Sequence, residues 1–412
     1  MTSIEFFYKS RQNLKFENVL PLSSGNNMYP TLSVYDQLLT TSSLNDFKMN
    51  DYQEAGGDIF TRTYISSVIN LEHNTDYYDW SNLFISMGTT DAIDVITLYA
   101  KMKLNCSHAY YILPCYYLFI QSAINYGYKL HFSPQINDVY NEHFLEMLEK
   151  APLNSLVYLN NPNSLSGVAL SDEFIKNLFS VVKKRKHYCI FDEITAKASL
   201  NNKIYSVLKI AIQEDCLDRI FITCSLSKEI SLPGIRAGYL LTPRYIGPNI
   251  EHFFRQRYGA IPTFISYFVS SYFKIQNALR QNEDEKIGNR FIFNKGMRDL
   301  YMKEKDTYIS LCNDNISYLL EQKKSYGFNF LYPDYGQSLF ISKPIKKINY
   351  WKYIEECVNN YGIDVSFGPY FGGTLDCWTH YDNIYARINF SNSKANFRNV
   401  VSKFLDFLNT IE

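Results

Sequence analysis

A segment in the middle of the chain combines side chains whose chemistry is complementary. Ser225 and Lys228 directly follow an apolar run, and Arg236 comes eight residues after the lysine. A lysine amine can condense with an aldehyde, and a planar guanidinium beside a serine hydroxyl can bind a phosphate. A solvated lysine on a loop would also fit this segment alone, so its interpretation depends on the residues around it.

Other candidate residues follow apolar runs elsewhere in the chain. Asp192 ends the run that begins at Tyr188, although an aspartate there often only caps a turn. Thr89 and Thr90 follow Gly88 between a predicted strand and a predicted helix, where backbone amides can bind a phosphate. A capped helix without a ligand fits this segment equally well. Arg387 lies in a late strand with apolar neighbours.

The elements that must position these residues alternate between strands and helices from about residue 82 to 241. This alternation predicts a parallel sheet covered by helices on both faces. Ligand sites in such sheets lie at the carboxyl ends of the strands, where most of the candidate residues fall. The predicted strands are Leu83–Met87, Tyr110–Leu113, Leu156–Asn160, Tyr188–Phe191, Ile220–Cys224 and Ala237–Leu241.

The length of 412 residues predicts a large domain and a smaller one. We expect residues 51–290 to form the large domain and residues 291–412 to form a small α+β domain. Residues 1–50 are expected to pack against the small domain. Helix-forming residues from Asp284 to Lys323 predict one long helix that bridges the two domains.

Composition argues against several classes of protein. Lys plus Arg and Asp plus Glu number 41 each, so the chain has no global attraction for nucleic acid or anionic membranes. We find no membrane segment and no signal peptide, so a cytoplasmic protein is expected. The eight cysteines form no Cys-x-x-Cys pair and the histidines lack ligand spacing, so no metal site is expected.

Taken together, these motifs resemble the class I/II aminotransferases, a family of fold-type I enzymes that use pyridoxal phosphate. Residues 225–238 are similar to the family signature Ser-x-x-Lys…Gly-x-Arg-x-Gly, and residues 192–195 are similar to Asp-Glu-x-Tyr. Residues 114–116 resemble the family's Pro-x-Tyr segment. The resemblance runs from about residue 20 to 405 in family order. It implies an α/β fold with a mostly parallel seven-stranded sheet between helices, plus a smaller α+β domain.

The resemblance also implies roles for single residues. Lys228 would hold the cofactor as a Schiff base, and Asp192 would pair with the pyridine nitrogen, so that the ring acts as an electron sink. Further contacts to the phosphate and the ring are expected from Gly88, Thr89, Thr90, Tyr116, Ser225 and Arg236.

Two positions depart from the family pattern. The family asparagine that bonds the 3′-oxygen of the cofactor falls on Ser164, or on Asn163 if the register shifts by one residue. The family tyrosine that bonds the same oxygen is Thr195 here. Because these donors favour the phenolate, smaller hydroxyls are expected to change the protonation of the cofactor or the course of the reaction.

The remaining motifs concern the substrate and a second subunit. Arg387 is expected to clamp the α-carboxylate of the substrate by bidentate pairing. Gly25 and Asn26 match the early family segment that lines the substrate site. Tyr52 lies in a segment similar to the family's Tyr-x-x-x-Gly-Gly, whose tyrosine reaches the neighbouring site, so a homodimer is implied.

The sequence therefore predicts an aminotransferase that moves the amino group of an L-amino acid to a 2-oxo acid. A specialised biosynthetic pathway is our hypothesis for its role. Ser164 and Thr195 keep two alternatives open on the same fold, an oxidase or hydroxylase that uses O2 and a lyase or decarboxylase. A third alternative is a regulatory protein that binds pyridoxal phosphate without catalysis.

Overall fold

The computed structural model describes residues 1–133, 140–379 and 382–411. Its strands in chain order are β1 (Leu20–Pro21), β2 (Leu83–Ser86), β3 (His108–Ile112), β4 (Lys129–Ser133), β5 (Leu156–Asn160), β6 (Tyr188–Asp192), β7 (Ile220–Ser225), β8 (Gly238–Leu241), β9 (Glu285–Ile287), β10 (Phe291–Phe293), β11 (Ser338–Pro344), β12 (Ile363–Asp364) and β13 (Asn383–Asn389).

In the described residues, fifteen α-helices accompany these strands. In chain order they are α1 (Ser3–Arg11), α2 (Ser33–Thr41), α3 (Leu44–Phe47), α4 (Ile59–His73), α5 (Thr89–Lys103), α6 (Tyr117–Asn125), α7 (Glu142–Lys150), α8 (Asp172–Arg185), α9 (Val207–Gln213), α10 (Gly247–Tyr258), α11 (Thr263–Gln281), α12 (Lys295–Tyr326), α13 (Tyr350–Asn359), α14 (Asp376–Thr379) and α15 (Lys394–Thr410). Within the described ranges, no helix has the length and apolar character needed to cross a membrane.

The central sheet has seven strands in the order β2-β8-β7-β6-β5-β3-β4. Its pairs are parallel except those of β8, which runs antiparallel to both β2 and β7. The predicted α/β fold with a mostly parallel seven-stranded sheet is therefore confirmed. All six predicted strands are present, with bounds shifted by at most two residues.

Alternating side chains of the inner strands divide the core into two clusters, one on each face of the sheet. In β5, Leu156 and Tyr158 belong to one cluster, whereas Val157 and Leu159 belong to the other. Side chains of a strand point to opposite faces in turn, so a strand covered on both sides is apolar throughout. Asn160 breaks this apolar run at the carboxyl end of β5, where the site described below lies.

The long helix begins later than the sequence predicts. Residues 285–293 form the antiparallel hairpin of β9 and β10, and Gly288 in its turn has a positive φ of 64°. The helix α12 then starts at Lys295, because the side chain of Asn294 accepts a hydrogen bond from the amide of Met297 and caps it. The predicted start near Asp284 is therefore corrected to Lys295.

The first fifty residues divide their contacts between the two parts of the chain. Strand β1 pairs in parallel with β12, and Arg11 forms an ion pair of 2.7 Å with Asp364, so this part contacts the C-terminal region. By contrast, Phe47 of α3 packs against Tyr267 of α11, with the ring centroids 5.1 Å apart. The domain boundaries at 51 and 291 stay predictions.

Candidate active site

The carboxyl ends of β5, β6 and β7 open into a pocket of about 240 Å³. Parallel neighbouring strands end at the same edge of the sheet, which brings residues that are far apart in sequence together. The predicted site residues that line this pocket are Gly25, Asn26, Thr89, Thr90, Tyr116, Ser164, Asp192, Ser225, Lys228, Arg236 and Arg387.

Lys228 lies in the turn that follows β7, with its amine inside the pocket. Its Nζ donates a hydrogen bond to the carbonyl oxygen of Gly25. The backbone carbonyl of Lys228 accepts a hydrogen bond of 3.0 Å from the side-chain amide of Asn27. Burial, with a smaller contribution from the cations Arg387 and Arg236, lowers the pKa of the amine to about 8. An amine with such a pKa has a much larger neutral, nucleophilic fraction at pH 7 than an ordinary lysine.

Asp192 is the last residue of β6, and three neighbouring side chains hold its carboxylate. The hydroxyl of Tyr158 and the amide of Asn160 each donate to Oδ2 at 3.1 Å, and the hydroxyl of Thr223 donates to Oδ1 at 3.3 Å. Burial raises the pKa of this carboxyl to about 7 despite these donors. A cation beside it would therefore be strongly favoured, because the buried negative charge has no full ion pair.

Thr89, Arg236 and two serines form a cradle for an anion at the start of α5. The helix begins after Gly88, which has a φ of 81° and provides no side-chain cap, so its first amides are free to bind a ligand. A Cβ atom at Gly88 would come within 3.1 Å of Nη2 of Arg236, so the guanidinium lies directly over this turn. The hydroxyls of Ser225 and Ser227, 2.9 Å apart, extend the set of donors.

Arg387 in β13 lines the pocket, and its guanidinium forms no ion pair among the described residues. Its Nη2 donates to the carbonyl oxygen of Ser23, and its Nε is buried without a hydrogen-bond partner among the described residues. The guanidinium lies 4.9 Å from the ring centroid of Phe371. Burial lowers its pKa to about 10. Because no carboxylate of the described chain forms an ion pair with it, Arg387 is free to bind one from a ligand.

The loop that carries Gly25 is held by side chains from the C-terminal strand β13. The amide of Asn389 donates to the carbonyls of Ser24 and Asn26, at 2.8 and 2.7 Å. Arg387 holds Ser23 in the same way, and Ser23 Oγ donates back to the carbonyl oxygen of Arg387. This network fixes the backbone of the loop beside the amine of Lys228.

Comparison with known proteins identifies the family of the chain. The sequence model of the family "Aminotransferase class I and II" matches residues 17–403. The chain belongs to the class I and II aminotransferase family. Members of this family use pyridoxal phosphate.

Curated members of the family match parts of the chain. An aspartate aminotransferase of Thermotoga maritima is 26% identical over 179 residues, which cover 41% of this chain and 46% of that protein. The 1-aminocyclopropane-1-carboxylate synthase 4 of Arabidopsis thaliana is 30% identical over 127 residues, which cover 29% of this chain and 26% of that protein. The matched segments thus span less than half the length of these relatives.

Solved structures of aminotransferases share the fold over nearly the full chain. The aspartate aminotransferase of Thermotoga maritima superimposes with a TM-score of 0.74 at 18% identity, covering 99% of this chain and 97% of that one. The N-succinyldiaminopimelate aminotransferase of Mycobacterium tuberculosis gives a TM-score of 0.75 at 13% identity, covering 98% and 96%. At these identities the likeness establishes the fold alone.

The donor set of the pocket fits the cofactor of the family. The free amides of α5, with Arg236 and the serine hydroxyls, match a phosphate dianion, and the bare Gly88 leaves room for it. The buried carboxylate of Asp192 matches a cationic ring nitrogen. The amine of Lys228, with its lowered pKa, matches an aldehyde. No metal is needed to explain these groups.

Four predicted residues of the aminotransferase motifs do not line the pocket. Gly88 forms the turn before α5 but is not among the lining residues. The amide of Asn163 donates to the carbonyl of Pro114 at 2.9 Å, so the structure brings Ser164 rather than Asn163 to the pocket. The hydroxyl of Thr195 is buried and donates to the carbonyl of Pro162 at 2.9 Å. The sequence predicts that the Thr195 hydroxyl contacts the cofactor. In the structure this hydroxyl bonds Pro162 instead, and Thr195 does not line the pocket. Tyr52 is 94% exposed and lies away from the pocket of its own chain.

Several pocket residues were not predicted from sequence. The sequence motifs overlooked Asn160, which joins Ser164 to Asp192: its Oδ1 accepts from the Ser164 hydroxyl at 2.7 Å while its amide donates to Asp192. Its place at the end of an apolar strand was the available signal. Asn160 itself does not line the pocket, and the lining residues that the motifs missed are Phe119, Leu165, Ile194, Ser227, Pro233 and Gln337.

The lowered pKa of Lys228 predicts how its reaction with an aldehyde depends on pH. Only the neutral amine attacks, and a pKa of about 8 instead of 10.5 leaves about one amine in ten neutral at pH 7, against about one in three thousand for an ordinary lysine. The rate at which cofactor-free protein captures pyridoxal phosphate should rise about tenfold per pH unit below 8 and level off above it. Stopped-flow absorbance measures this rate, and a rise that continues to pH 10 would contradict the assignment.

Proposed function

We propose that this protein is a pyridoxal phosphate-dependent aminotransferase that acts on an L-amino acid. One observation carries the proposal: the amine of Lys228, the buried carboxylate of Asp192 and the guanidinium groups of Arg236 and Arg387 converge on one pocket. Membership of the aminotransferase family supports it. A role in a specialised biosynthetic pathway is part of this proposal as a hypothesis.

Lys228 would have two tasks in this pocket. Its amine would hold pyridoxal phosphate covalently, and the same amine would move the proton of the α-carbon once the amino acid is bound. When bound, the cofactor supplies an electron sink that stabilises negative charge at that carbon. The lowered pKa of Lys228 suits the second task, because an amine with a pKa of about 8 can both accept and return a proton near neutral pH.

The other residues would bind and orient. Asp192 would accept a hydrogen bond from the ring nitrogen and keep it protonated, with Tyr158, Asn160 and Thr223 fixing the carboxylate. Tyr116 would lie against the ring. Arg387 would bind the α-carboxylate of the amino acid and later that of the 2-oxo acid, which holds the α-carbon within reach of Lys228.

A steady-state assay tests the proposal. Purified protein reconstituted with pyridoxal phosphate is given an amino acid with 2-oxoglutarate or pyruvate, and the new amino acid is measured by chromatography. Transfer of the amino group that requires the oxo acid supports an aminotransferase. Conversion without an oxo acid acceptor would instead favour the alternatives below.

A second candidate function is another reaction at the α-carbon on the same fold, such as oxidation with O2, elimination or decarboxylation. Ser164 stands at the position of a family asparagine, and the hydroxyl of Thr195 is turned away from the pocket, so the 3′-oxygen would have fewer donors. One relative is named a synthase rather than an aminotransferase. Consumption of O2, or release of CO2 or ammonia, from an amino acid alone would identify such a reaction. A non-catalytic regulatory protein would give none of these products.

Replacing Arg387 with lysine tests its role in binding the substrate. The planar guanidinium can bind a carboxylate through two parallel hydrogen bonds, whereas an ammonium cannot. We expect kcat/KM for the amino acid to fall about 10- to 100-fold, mainly through a higher KM. Arg398→Lys is a matched control, because Arg398 also stacks on an aromatic ring but lies on the surface. Equal effects in the two variants would contradict the role of Arg387.

We also propose a homodimer in which Tyr52 completes the neighbouring site. Tyr52 and Phe60 are 94% and 84% exposed in the single chain, and a subunit interface would cover such aromatic side chains. Mixing Tyr52→Ala and Lys228→Ala protein tests this arrangement. Each mixed dimer would contain one site with both lesions and one intact site, so activity should return to about a quarter of the wild-type value. No recovery after mixing and refolding, with dimers seen by sedimentation velocity, would contradict it.

A further inference from the structure

A glutamine that the proposed chemistry does not use lies in the same pocket. Gln337 directly precedes β11 and is 2% exposed, and its amide nitrogen donates to the carbonyl oxygen of Gly25 at 3.1 Å. Its Oε1 is buried and has no hydrogen-bond partner among the described residues. Buried acceptors are nearly always paired, because leaving one unpaired is costly. The missing donor is therefore expected to come from a bound molecule.

The orientation of this amide is determined by its neighbour. A backbone carbonyl can only accept, so the nitrogen of Gln337 must face Gly25 and the oxygen must point elsewhere. The carbonyl of Gly25 also accepts a hydrogen bond from Nζ of Lys228. Gln337 consequently lies beside the reactive amine, where a substrate bound to Arg387 and Lys228 would extend its side chain.

The turn that carries Gln337 into the pocket packs against one of the two departures from the family pattern. The amide of Gly336 donates to the carbonyl of Ala198 at 2.7 Å, and the amide of Phe390 donates to the carbonyl of Gln337 at 2.9 Å. Gly336 has a φ of 78°, and a Cβ atom there would lie 3.2 Å from Cγ2 of Thr195. The larger side chain of a tyrosine at position 195 would compete with this turn for space. The small side chain of Thr195 therefore allows the turn to place Gln337 in the pocket.

The remaining side chains that line the pocket carry no charge that could form an ion pair with a substrate side chain. The four charged residues that line the pocket are those assigned above to the cofactor, the proton and the α-carboxylate. Around them lie apolar side chains, among them Phe119, Leu165 and Ile194. A charged substrate side chain would be buried there without an ion pair from the residues that the structure describes, which is strongly unfavourable.

We propose that Gln337 determines substrate specificity by accepting a hydrogen bond from an uncharged donor, an amide N–H or a hydroxyl, on the side chain of the amino acid substrate. This inference rests on the proposed function and names the class of its substrate. Apolar side chains of similar size would leave Oε1 unpaired, and sites built around a hydrogen bond reject such analogues strongly.

The experiment compares near-isosteric amino acids in the first half-reaction, in which no oxo acid is present. L-asparagine is paired with L-leucine and L-glutamine with L-methionine, and the rates are followed by absorbance of the reconstituted protein. We expect kcat/KM to favour the donor-bearing member of at least one pair by about 10-fold or more. Gln337→Met, which keeps the length and removes the acceptor, should bring this ratio close to one. Gln276→Met is the matched control, since Gln276 lies outside this pocket and bonds tyrosine hydroxyls.

A binding measurement that needs no turnover accompanies the assay. Calorimetry with succinamate and 4-methylpentanoate, which correspond to asparagine and leucine without the amino group, should show the same preference in the wild type and its loss in Gln337→Met. Gln337→Glu provides a second variant, which should shift the preference towards cationic side chains such as lysine.

The outcomes separate this inference from the proposed function. If no amino acid changes the absorbance or is converted, the proposed function fails. If amino acids react but the wild type prefers charged or purely apolar side chains, the inference is overturned and the proposed function stands. A preference that survives in Gln337→Met overturns it as well. If Gln337→Met does not fold, the wild-type preference and Gln337→Glu decide.

Discussion

Replacing Lys228 with alanine is expected to reduce turnover by about 10⁴-fold or more, because the variant loses both the covalent attachment of the cofactor and the group that moves the α-proton. The phosphate cradle of α5 and Arg236 stays intact in this variant, so pyridoxal phosphate should still bind without a covalent bond. Steady-state kinetics measure the first effect, and equilibrium dialysis measures the second.

Lys197→Ala is the matched control for this experiment. Lys197 is also a partly buried lysine, but it lies outside the pocket, over the rings of Tyr272 and Phe273. Its replacement should leave kcat within about a factor of two of the wild type, because its contacts are structural. Turnover by Lys228→Ala near the wild-type level would remove Lys228 from the mechanism.

Asp192→Asn is expected to lower kcat by about 10³-fold or more. An amide is nearly the same size and can still accept a hydrogen bond, but it carries no charge to hold a proton on the ring nitrogen. Buried, fixed charges of this kind contribute strongly because the site excludes water. The same variant should bind pyridoxal phosphate more weakly, so kcat is measured at saturating cofactor.

Glu193, the next residue in the sequence, provides the control variant for Asp192→Asn. Burial raises the pKa of Glu193 to about 8, so its carboxyl is mostly protonated at pH 7. Glu193→Gln therefore replaces a neutral acid with a neutral amide, and the backbone amide of Val207 keeps its acceptor. Activity should change little. If kcat fell as much in Glu193→Gln as in Asp192→Asn, Asp192 would act only through the packing of this region.

The strands of the central sheet were predictable because strands buried on both faces are apolar throughout. Strand β4 was missed, since Lys129 and His131 give this edge strand a mixed pattern. The start of the long helix was misjudged for a related reason. Residues 285–293 are rich in residues that a helix accepts, and only the pairing of β9 with β10 across Gly288 decides their conformation.

The site was predictable wherever a motif ties a side chain to the end of a strand. Asp192 ends β6, Lys228 comes shortly after the end of β7, and Arg236 comes just before β8, so the sheet fixes where they lie. The orientation of a single side chain was not predictable in this way. Thr195 follows Asp192 closely, yet its hydroxyl bonds Pro162, because the neighbouring turn around Gly336 fills the space beside it.

Gln337 shows what sequence motifs leave out. It lies in a turn before a strand far along the chain, and in the pocket it contacts the loop around Gly25. No local spacing connects residues 25, 195 and 337, so only the folded chain reveals that they meet. Residues that select a substrate are commonly of this kind, because binding pockets collect side chains from several loops.

The most direct test of the central claim is to find the lysine that carries the cofactor. The protein is reconstituted with pyridoxal phosphate, reduced with borohydride and digested, and the modified peptide is identified by mass spectrometry. We expect one phosphopyridoxyl group per chain, on Lys228, and none in Lys228→Ala. A label on a different lysine, or no label above that of the unreduced protein, would contradict it.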